Sequence, residues 1–155
     1  MRFPKNCTNI LLVGLDNSFN AAVAQEIGLH LQMQYSRCED IVQYHVQERD
    51  LILQRVGVEY LKKREKSALE ECASYVDCVL SIGFDLFKQN FKLFKQSVIC
   101  YLQLGKELIK DVKSKLVFEE RNQFLEKNSH LTVAMQKRDK TQARKKIIEI
   151  LGELL

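Results

Sequence analysis

Short apolar runs alternate with amphipathic stretches along the chain. Residues 9–13, 75–82, 97–102 and 131–135 form runs typical of buried β-strands, and a weaker run covers residues 33–36. Apolar residues at helical spacing predict helices at 21–31, from Tyr60 to Cys72, and at 140–154. Because strands and helices alternate, the pattern predicts a parallel sheet that is covered by helices on both faces.

Composition is that of one ordinary globular domain, which we expect to span residues 1–155. The chain has 46% hydrophobic and 28% charged residues, with a formal net charge of +4. Acidic residues are interspersed, so the charge favours a solvated helix face over a patch for nucleic acid or an anionic surface. We expect the last helix to dock its apolar stripe on the sheet rather than on a membrane or a partner. The basic residues concentrate near the C-terminus at Lys137, Arg138, Lys140, Arg144, Lys145 and Lys146.

The cysteines and the lengths of the apolar runs indicate the cellular compartment in which we expect the protein. The five cysteines include no C-x-x-C pair, which predicts free buried thiols in a reducing environment. No N-terminal stretch has the pattern of a signal peptide, and no apolar run approaches about 18 residues. We therefore expect a cytoplasmic location and no membrane contact. The cysteines are Cys7, Cys38, Cys72, Cys78 and Cys100.

The segment between the first predicted strand and the first predicted helix carries most of the chemical information. It reads Gly14-Leu15-Asp16-Asn17-Ser18-Phe19-Asn20-Ala21. A Walker A loop occupies this place in nucleotide-binding proteins and reads G-x-x-x-x-G-K-[ST]. Its backbone amides and its lysine bind the phosphates, and the hydroxyl of its last residue binds Mg²⁺. Only the first glycine matches here. Phe19, Asn20 and Ala21 stand in place of the second glycine, the lysine and the hydroxyl residue.

These replacements remove the groups that bind a nucleotide. A phenylalanine where the loop needs glycine strains the backbone and places a ring near the phosphates. Asn20 brings no positive charge, and Asp16 adds a carboxylate where a triphosphate would lie. We expect Asp16, Asn17 or Ser18 to cap the following helix. An anion site made by the helix N-terminus alone is the alternative.

Further motifs occur in the order found in a known family. A strand-like string, Asn9-Ile10-Leu11-Leu12-Val13-Gly14-Leu15, precedes a helix, and Gly57-Val58-Glu59-Tyr60-Leu61-Lys62-Lys63-Arg64-Glu65 is similar to G-E-x-x-F-R-x-x-E. Val79-Leu80-Ser81-Ile82-Gly83-Phe84-Asp85 is similar to a strand ending in three glycines, and Arg121-Asn122-Gln123-Phe124-Leu125-Glu126 to R-x-P-L-Y-E. In this order the motifs resemble the shikimate kinase family. The resemblance implies a three-layer α/β/α domain with a five-stranded parallel sheet, the shikimate kinase-like P-loop kinase fold.

The resemblance also implies a small-ligand site made of Glu39, Lys62, Gly83 and Arg121. In that family the matching acid and two arginines bind shikimate, and the glycine lies beside its ring. Lysine replaces one arginine here, and lysine does not grip a carboxylate bidentately. Arg37 stands where the family has an aspartate that is associated with magnesium and the catalytic site. The segment 106–120 lacks the family's lid motif with its arginine.

The joint loss of phosphate-handling groups predicts a shikimate kinase-like pseudoenzyme. It would have lost ATP binding and phosphoryl transfer and act as a binding or regulatory module, with a protein or a small anionic ligand as its partner. No catalytic residue, metal or cofactor is then expected. The alternative is an active ATP-dependent, Mg²⁺-dependent kinase for shikimate that uses Lys62 or Lys63 as the missing cation. A third hypothesis is a scaffold whose basic C-terminal helix contacts nucleic acid or a protein.

Other candidate chemistry is weaker. His30, His45 and His130 lack the spacing of metal ligands, so we do not predict a metal site. Cys38 follows a cation that would lower its thiol pKa, but Glu39 on its other side opposes this. We expect Phe19 to fill or block the space of a β-phosphate, and an open cavity lined by amides would contradict that expectation.

Overall fold

A parallel sheet of five strands forms the centre of the molecule. The strands are β1 (Asn9–Gly14), β2 (Gln34–Arg37), β3 (Cys78–Gly83), β4 (Ser97–Leu104) and β5 (Leu131–Met135). Their spatial order is β2-β3-β1-β4-β5, and every neighbouring pair is parallel. The structure is a computed structural model and describes residues 7–110, 112 and 114–154.

Helices cover both faces of this sheet. They are α1 (Asn17–Leu31), α2 (Cys38–His45), α3 (Arg49–Arg55), α4 (Val58–Ala73), α5 (Phe84–Asn90), α6 (Lys115–Lys127) and α7 (Lys140–Leu154), with 3-10 turns at Phe91–Leu93 and Lys106–Leu108. The three-layer α/β/α architecture with five parallel strands is thus confirmed. Within the described residues, no helix is long and apolar enough to cross a membrane.

Side-chain alternation in β1 divides the core into two layers. Ile10 and Leu12 join a cluster that α1 and α7 cover, and Leu11 and Val13 join a second cluster that includes residues of α2, α4 and α5. A strand buried on both faces reads as a continuous apolar run, which is why the sequence pattern identified β1. β5 lies at an edge, where Leu131, Val133 and Met135 are buried while the residues between them are exposed.

Several element boundaries differ from the sequence pattern. β3 begins at Cys78 rather than at residue 75, because Asp77 adopts a left-handed φ of 54° and its amide donates to the Thr8 carbonyl. β2 covers residues 34–37 rather than 33–36, and β4 continues to Leu104. α1 begins at Asn17 rather than at residue 21.

Four helices, α2, α3, α5 and α6, were not predicted from the pattern. α3 shows why, because none of its side chains is fully buried and Ile52 packs only partly against the core, so the helix has no buried stripe to detect. The single-domain prediction covers residues 1–155, and residues 1–6, 111, 113 and 155 lie outside the described residues. Positions 111 and 113 also belong to the segment 106–120, which is predicted to lack a lid motif. The one-domain assignment therefore stays a prediction.

Gly14 is the position at which the end of β1 tolerates no side chain. A Cβ built there would lie 2.9 Å from the Leu102 carbonyl oxygen and 2.6 Å from Asn20 Oδ1. The carbonyl belongs to the neighbouring strand β4, so the backbone would have to move. A Cβ built at Gly152 in α7 would meet no heavy atom within 4 Å beyond its own stretch of helix among the described residues.

We expect Gly14→Ala to lower the free energy of unfolding by about 1–3 kcal/mol, since overpacking displaces backbone. Gly152→Ala is the matched control and should raise the free energy of unfolding, by at most about 1 kcal/mol, because alanine is the better helix former. Urea unfolding followed by circular dichroism measures both. Equal effects of the two substitutions would contradict the close packing of Gly14.

Candidate functional site

The candidate site lies at the carboxyl ends of the central strands. β1 is the strand at which the strand order reverses, and open parallel sheets bind ligands in the crevice at such a point. Only Leu15 and Asp16 separate β1 from α1. Asn17, Ser18 and Phe19, which a longer loop would present to a ligand, therefore already belong to the first turn of the helix.

Asp16 occupies the N-terminus of α1. Its Oδ1 accepts a hydrogen bond from the Phe19 amide at 3.0 Å, and its carbonyl accepts one from the Asn20 amide at 3.0 Å. The prediction that Asp16, Asn17 or Ser18 caps the helix is thus confirmed, with Asp16 as the capping residue. A carboxylate at this position also interacts favourably with the positive end of the helix dipole.

Arg138 binds the other oxygen of the same carboxylate. Its Nε lies 2.6 Å from Asp16 Oδ2, and its Nη2 donates to the Leu108 carbonyl. Arg138 follows β5, so this contact joins the last strand, the 3-10 turn after β4 and the loop after β1. The sequence pattern predicts a solvated basic face for Arg138, whereas the structure pairs it with Asp16. No local signal reveals the pair, because the two residues are 122 positions apart.

Asn20 and Phe19 both point into the protein. Asn20 is 1% exposed, and its Nδ2 donates to the Gly14 carbonyl at 3.2 Å while its Oδ1 has no hydrogen-bond partner among the described residues. Phe19 is 6% exposed and belongs to the core cluster beneath α1 and α7. That its ring fills the space of a β-phosphate stays a prediction. Ala21 follows within the same helix turn.

Glu39 forms a second polar cluster at the ends of β2 and β3. Its carboxylate accepts a hydrogen bond from the Gly83 amide, with distances of 2.9 and 3.3 Å to its two oxygens. Burial raises the pKa of the Glu39 carboxyl, while the Gly83 amide, the charge of Arg37 and the Asn17 side chain favour its ionised form. The structure therefore brings two of the predicted ligand-binding residues, Glu39 and Gly83, into direct contact.

A cavity of about 600 Å³ opens beside Glu39, and we call it the Glu39 cavity. α2, α3, α4 and α5 line it, and its charged side chains are Glu39, Arg49, Lys62, Glu65 and Asp85. Arg49 and Glu65 neutralise each other in an ion pair of 3.1 Å. Lys62 has no hydrogen-bond or ion-pair partner in the part of the chain that the structure describes.

Arg121 lies in α6 and is half-buried. Its guanidinium carbon is 4.9 Å from the centre of the Phe84 ring, which is the geometry of a cation–π contact. Phe84 directly follows Gly83, so Arg121 is near the predicted ligand residues, although it is not among the side chains that line the Glu39 cavity.

The basic segment near the C-terminus is partly neutralised by the fold. Arg138 pairs with Asp16, and Lys140 and Arg144 both lie within 3.5 Å of Glu26 oxygens. Three of the six cations of this segment therefore have acidic partners. The two ion pairs with Glu26 join α7 to α1, and whether the segment binds nucleic acid stays a prediction.

The cysteine and histidine candidates have local partners. All five cysteines are free, four of them buried and Cys7 half-buried. Cys38 is fully buried, and its hydrogen bond with Cys72 raises the pKa of its thiol, which argues against a reactive nucleophile. His45 pairs with Glu71, and His130 Nδ1 accepts from the Ile99 amide. No group of three metal-binding side chains occurs among the described residues.

Comparison with known proteins identifies the fold. The chain matches no protein-family model and no curated protein. It is similar to a shikimate kinase from Acinetobacter baumannii solved in complex with shikimate, with a TM-score of 0.75, 18% identity and coverage of 96% of this chain and 95% of that one. The shikimate kinase from Aquifex aeolicus gives a TM-score of 0.73 at 19% identity, with 93% and 96% covered.

A gluconokinase from Sinorhizobium meliloti is a more distant neighbour. Its TM-score is 0.55 at 14% identity, with 99% of this chain and 95% of that chain covered. At such identities the likeness establishes the fold. The chain has the shikimate kinase-like P-loop kinase fold.

Removal of the Asp16 carboxylate tests its structural role. We expect Asp16→Ala to lower the free energy of unfolding by about 1–2 kcal/mol, because a helix cap and an ion pair are both lost. Asp16→Asn keeps a capping oxygen and should cost less. Ser18→Ala, an exposed change in the same turn, should stay within about 0.5 kcal/mol of wild type in urea unfolding. Equal losses for Asp16→Ala and Ser18→Ala would contradict the capping role.

Glu39 gives a pH dependence with a definite sign. Its pKa in the folded protein is raised above the ordinary glutamate value of 4.5, so the folded state binds more protons than the unfolded state just above that pH. Ionisation of the Glu39 carboxyl therefore lowers the free energy of unfolding as pH rises from 4.5 toward neutrality. Glu39→Gln keeps an acceptor for the Gly83 amide and removes this titration.

We expect the stability of Glu39→Gln relative to wild type to increase over that pH range. Urea unfolding of both proteins at several pH values measures the difference. A difference that stays constant with pH, or changes in the opposite direction, would contradict the raised pKa.

Proposed function

We propose that this chain is a pseudoenzyme with the shikimate kinase-like fold, which binds a small anionic ligand in the Glu39 cavity and neither binds ATP nor transfers a phosphoryl group. In this proposal the segment from Gly14 to Ala21 is a degenerate Walker A loop. The chain then acts as a binding or regulatory module, without ATP or Mg²⁺ as cofactors.

The observation that carries the proposal is the position of the Asp16 carboxylate. It accepts hydrogen bonds from the Phe19 amide and from Arg138. An internal anion therefore uses the hydrogen-bond donors that a phosphate would need. The two-residue connection also leaves no extended loop whose amides could surround a phosphate chain. A nucleotide would have to displace a capping carboxylate and place its own negative charge beside it.

Three further replacements act in the same direction. Asn20 supplies no cation and its side chain is turned to the Gly14 carbonyl, Ala21 has no hydroxyl for Mg²⁺, and Arg37 ends β2 where an acid would assist the metal. A hydrogen bond to a charged group contributes about 1.5–3 kcal/mol to binding, and loss of one transition-state donor costs about 10²–10³ in rate. Even with non-additive losses, phosphoryl transfer falls toward background.

The Glu39 cavity supports the binding part of the proposal. Its volume of about 600 Å³ suits a small metabolite, and four helices surround it. Lys62, which has no acidic partner among the described residues, is suited to an anionic group of the ligand, while Glu39 and Asp85 are acceptors for hydroxyl groups. These charges favour a hydroxylated carboxylic acid over a purely anionic or apolar molecule.

Lys62 also supports the second candidate function. An active ATP-dependent kinase that phosphorylates shikimate would use Lys62 as its missing cation, since both lysines are exposed but Lys62, unlike Lys63, lines the Glu39 cavity. That function requires nucleotide binding at α1 despite Asp16. Nucleotide binding therefore discriminates between the two candidates.

Calorimetric titration with Mg-ATP and with shikimate, as a hydroxylated acid probe, tests the proposal. We expect no heat of binding from Mg-ATP up to about millimolar concentration. This result corresponds to a binding free energy less favourable than about −4 kcal/mol. Shikimate should bind to wild type and to Lys63→Ala. Lys62→Ala should weaken its affinity at least about tenfold, because a charged hydrogen bond is lost.

Two outcomes would contradict the proposal in different ways. Micromolar affinity for Mg-ATP together with transfer of phosphate to shikimate would establish the active kinase instead. Absence of shikimate binding, or equal losses in Lys62→Ala and Lys63→Ala, would remove the assignment of the Glu39 cavity as a site for hydroxylated acids.

A further inference from the structure

Two of the five thiols are in direct contact. Cys38 is the first residue of α2, and Cys72 lies in the last turn of α4. Both side chains are fully buried, and their sulfur atoms are 3.3 Å apart. The Cys78 thiol donates instead to the Val76 carbonyl, and burial raises the pKa of the Cys100 thiol in β4 to about 12.

We propose that Cys38 and Cys72 form a reversible disulfide that joins α2 to α4. A disulfide has a sulfur–sulfur bond of about 2.0 Å, so the two atoms need to approach by about 1.3 Å. This distance is shared between two side chains that already face each other. Rotation about the two Cα–Cβ bonds is the motion that this approach requires.

The oxidant is a disulfide of a low-molecular-weight thiol. One cysteine thiolate attacks a sulfur of this disulfide, which releases one thiol and leaves a mixed disulfide on the protein. The second cysteine then attacks the protein sulfur and releases the second thiol. Overall, the two cysteines lose two electrons and two protons, and the oxidant gains both.

The reaction is slow in the folded protein. The hydrogen bond to Cys72 and burial both raise the pKa of Cys38, so little thiolate is present. An oxidant reaches the sulfurs only when α2 and α4 separate. The half-buried Cys7 reacts sooner, which gives an internal reference for accessibility.

The disulfide would close the chain segment between residues 38 and 72. This segment contains α3, which has no fully buried side chain and packs Ile52 partly against the core. α2 and α4 also form two walls of the Glu39 cavity, and Cys38 directly precedes Glu39. Oxidation would therefore fix the separation of these walls. The disulfide itself does not depend on which ligand, if any, the cavity binds.

Equilibration in buffers of reduced and oxidised glutathione tests this inference. One sample is the native protein, and another is refolded from urea in the same buffer, so that access to the sulfurs is not limiting. After acid quenching and alkylation, peptide mapping by mass spectrometry should show Cys38 joined to Cys72 in a monomer that has lost 2 Da. The midpoint of urea unfolding should rise in the oxidised form and return after reduction.

Matched variants complete the experiment. Cys38→Ala and Cys72→Ala should each abolish the cross-link, and Cys100→Ala, which removes another fully buried thiol, should keep it. The inference is overturned if both cysteines are alkylated after refolding in the oxidising buffer. It is equally overturned if either of them pairs with a different cysteine in wild type.

Discussion

The Asp16 carboxylate is the contact on which the carboxyl edge of the sheet depends. One oxygen caps α1 through the Phe19 amide, and the other binds Arg138 after β5. Because Arg138 also donates to the Leu108 carbonyl, one acidic side chain joins the loops that follow β1, β4 and β5. This internal ion pair allows α1 to begin only two residues after the central strand. In the proposed function, this contact takes the place at which open parallel sheets bind ligands.

A second carboxylate repeats the arrangement on the other side of β1. Glu39 accepts a hydrogen bond from the Gly83 amide and is influenced by the charge of Arg37, so the amide at the end of β3 is also satisfied from within the chain. Glu39 differs from Asp16 because it borders a cavity of about 600 Å³ that Lys62 also lines, and Lys62 has no acidic partner in the described part of the chain. The first cluster thus favours a closed phosphate region, and the second favours a retained site for a small polar ligand. Together they support the proposal of a kinase-like fold that binds a small ligand without phosphoryl transfer.

The sequence predicted the buried strands and the capping role near Asp16 because both depend on local pattern. Ile10 to Val13 are apolar on both faces, and an acid before an apolar helix stripe is a known cap. The contact between Asp16 and Arg138 could not be predicted, since tertiary packing brings together residues 122 positions apart. α3 was missed because it has no buried stripe, and β3 began late because Asp77 adopts a left-handed conformation. The proximity of Glu39 and Gly83 was implied by resemblance alone, and the structure gives it a physical basis in one hydrogen bond.

The central claim is that an internal carboxylate takes the place of phosphate at the start of α1. A crystal structure of the protein grown with millimolar Mg-ATP measures this directly. The account predicts that Asp16 still accepts a hydrogen bond from the Phe19 amide and still pairs with Arg138. It also predicts no phosphate density between β1 and α1, and a Phe19 ring that stays within the core. Ordered phosphates on the amides of α1, with Asp16 displaced from Arg138, would contradict it.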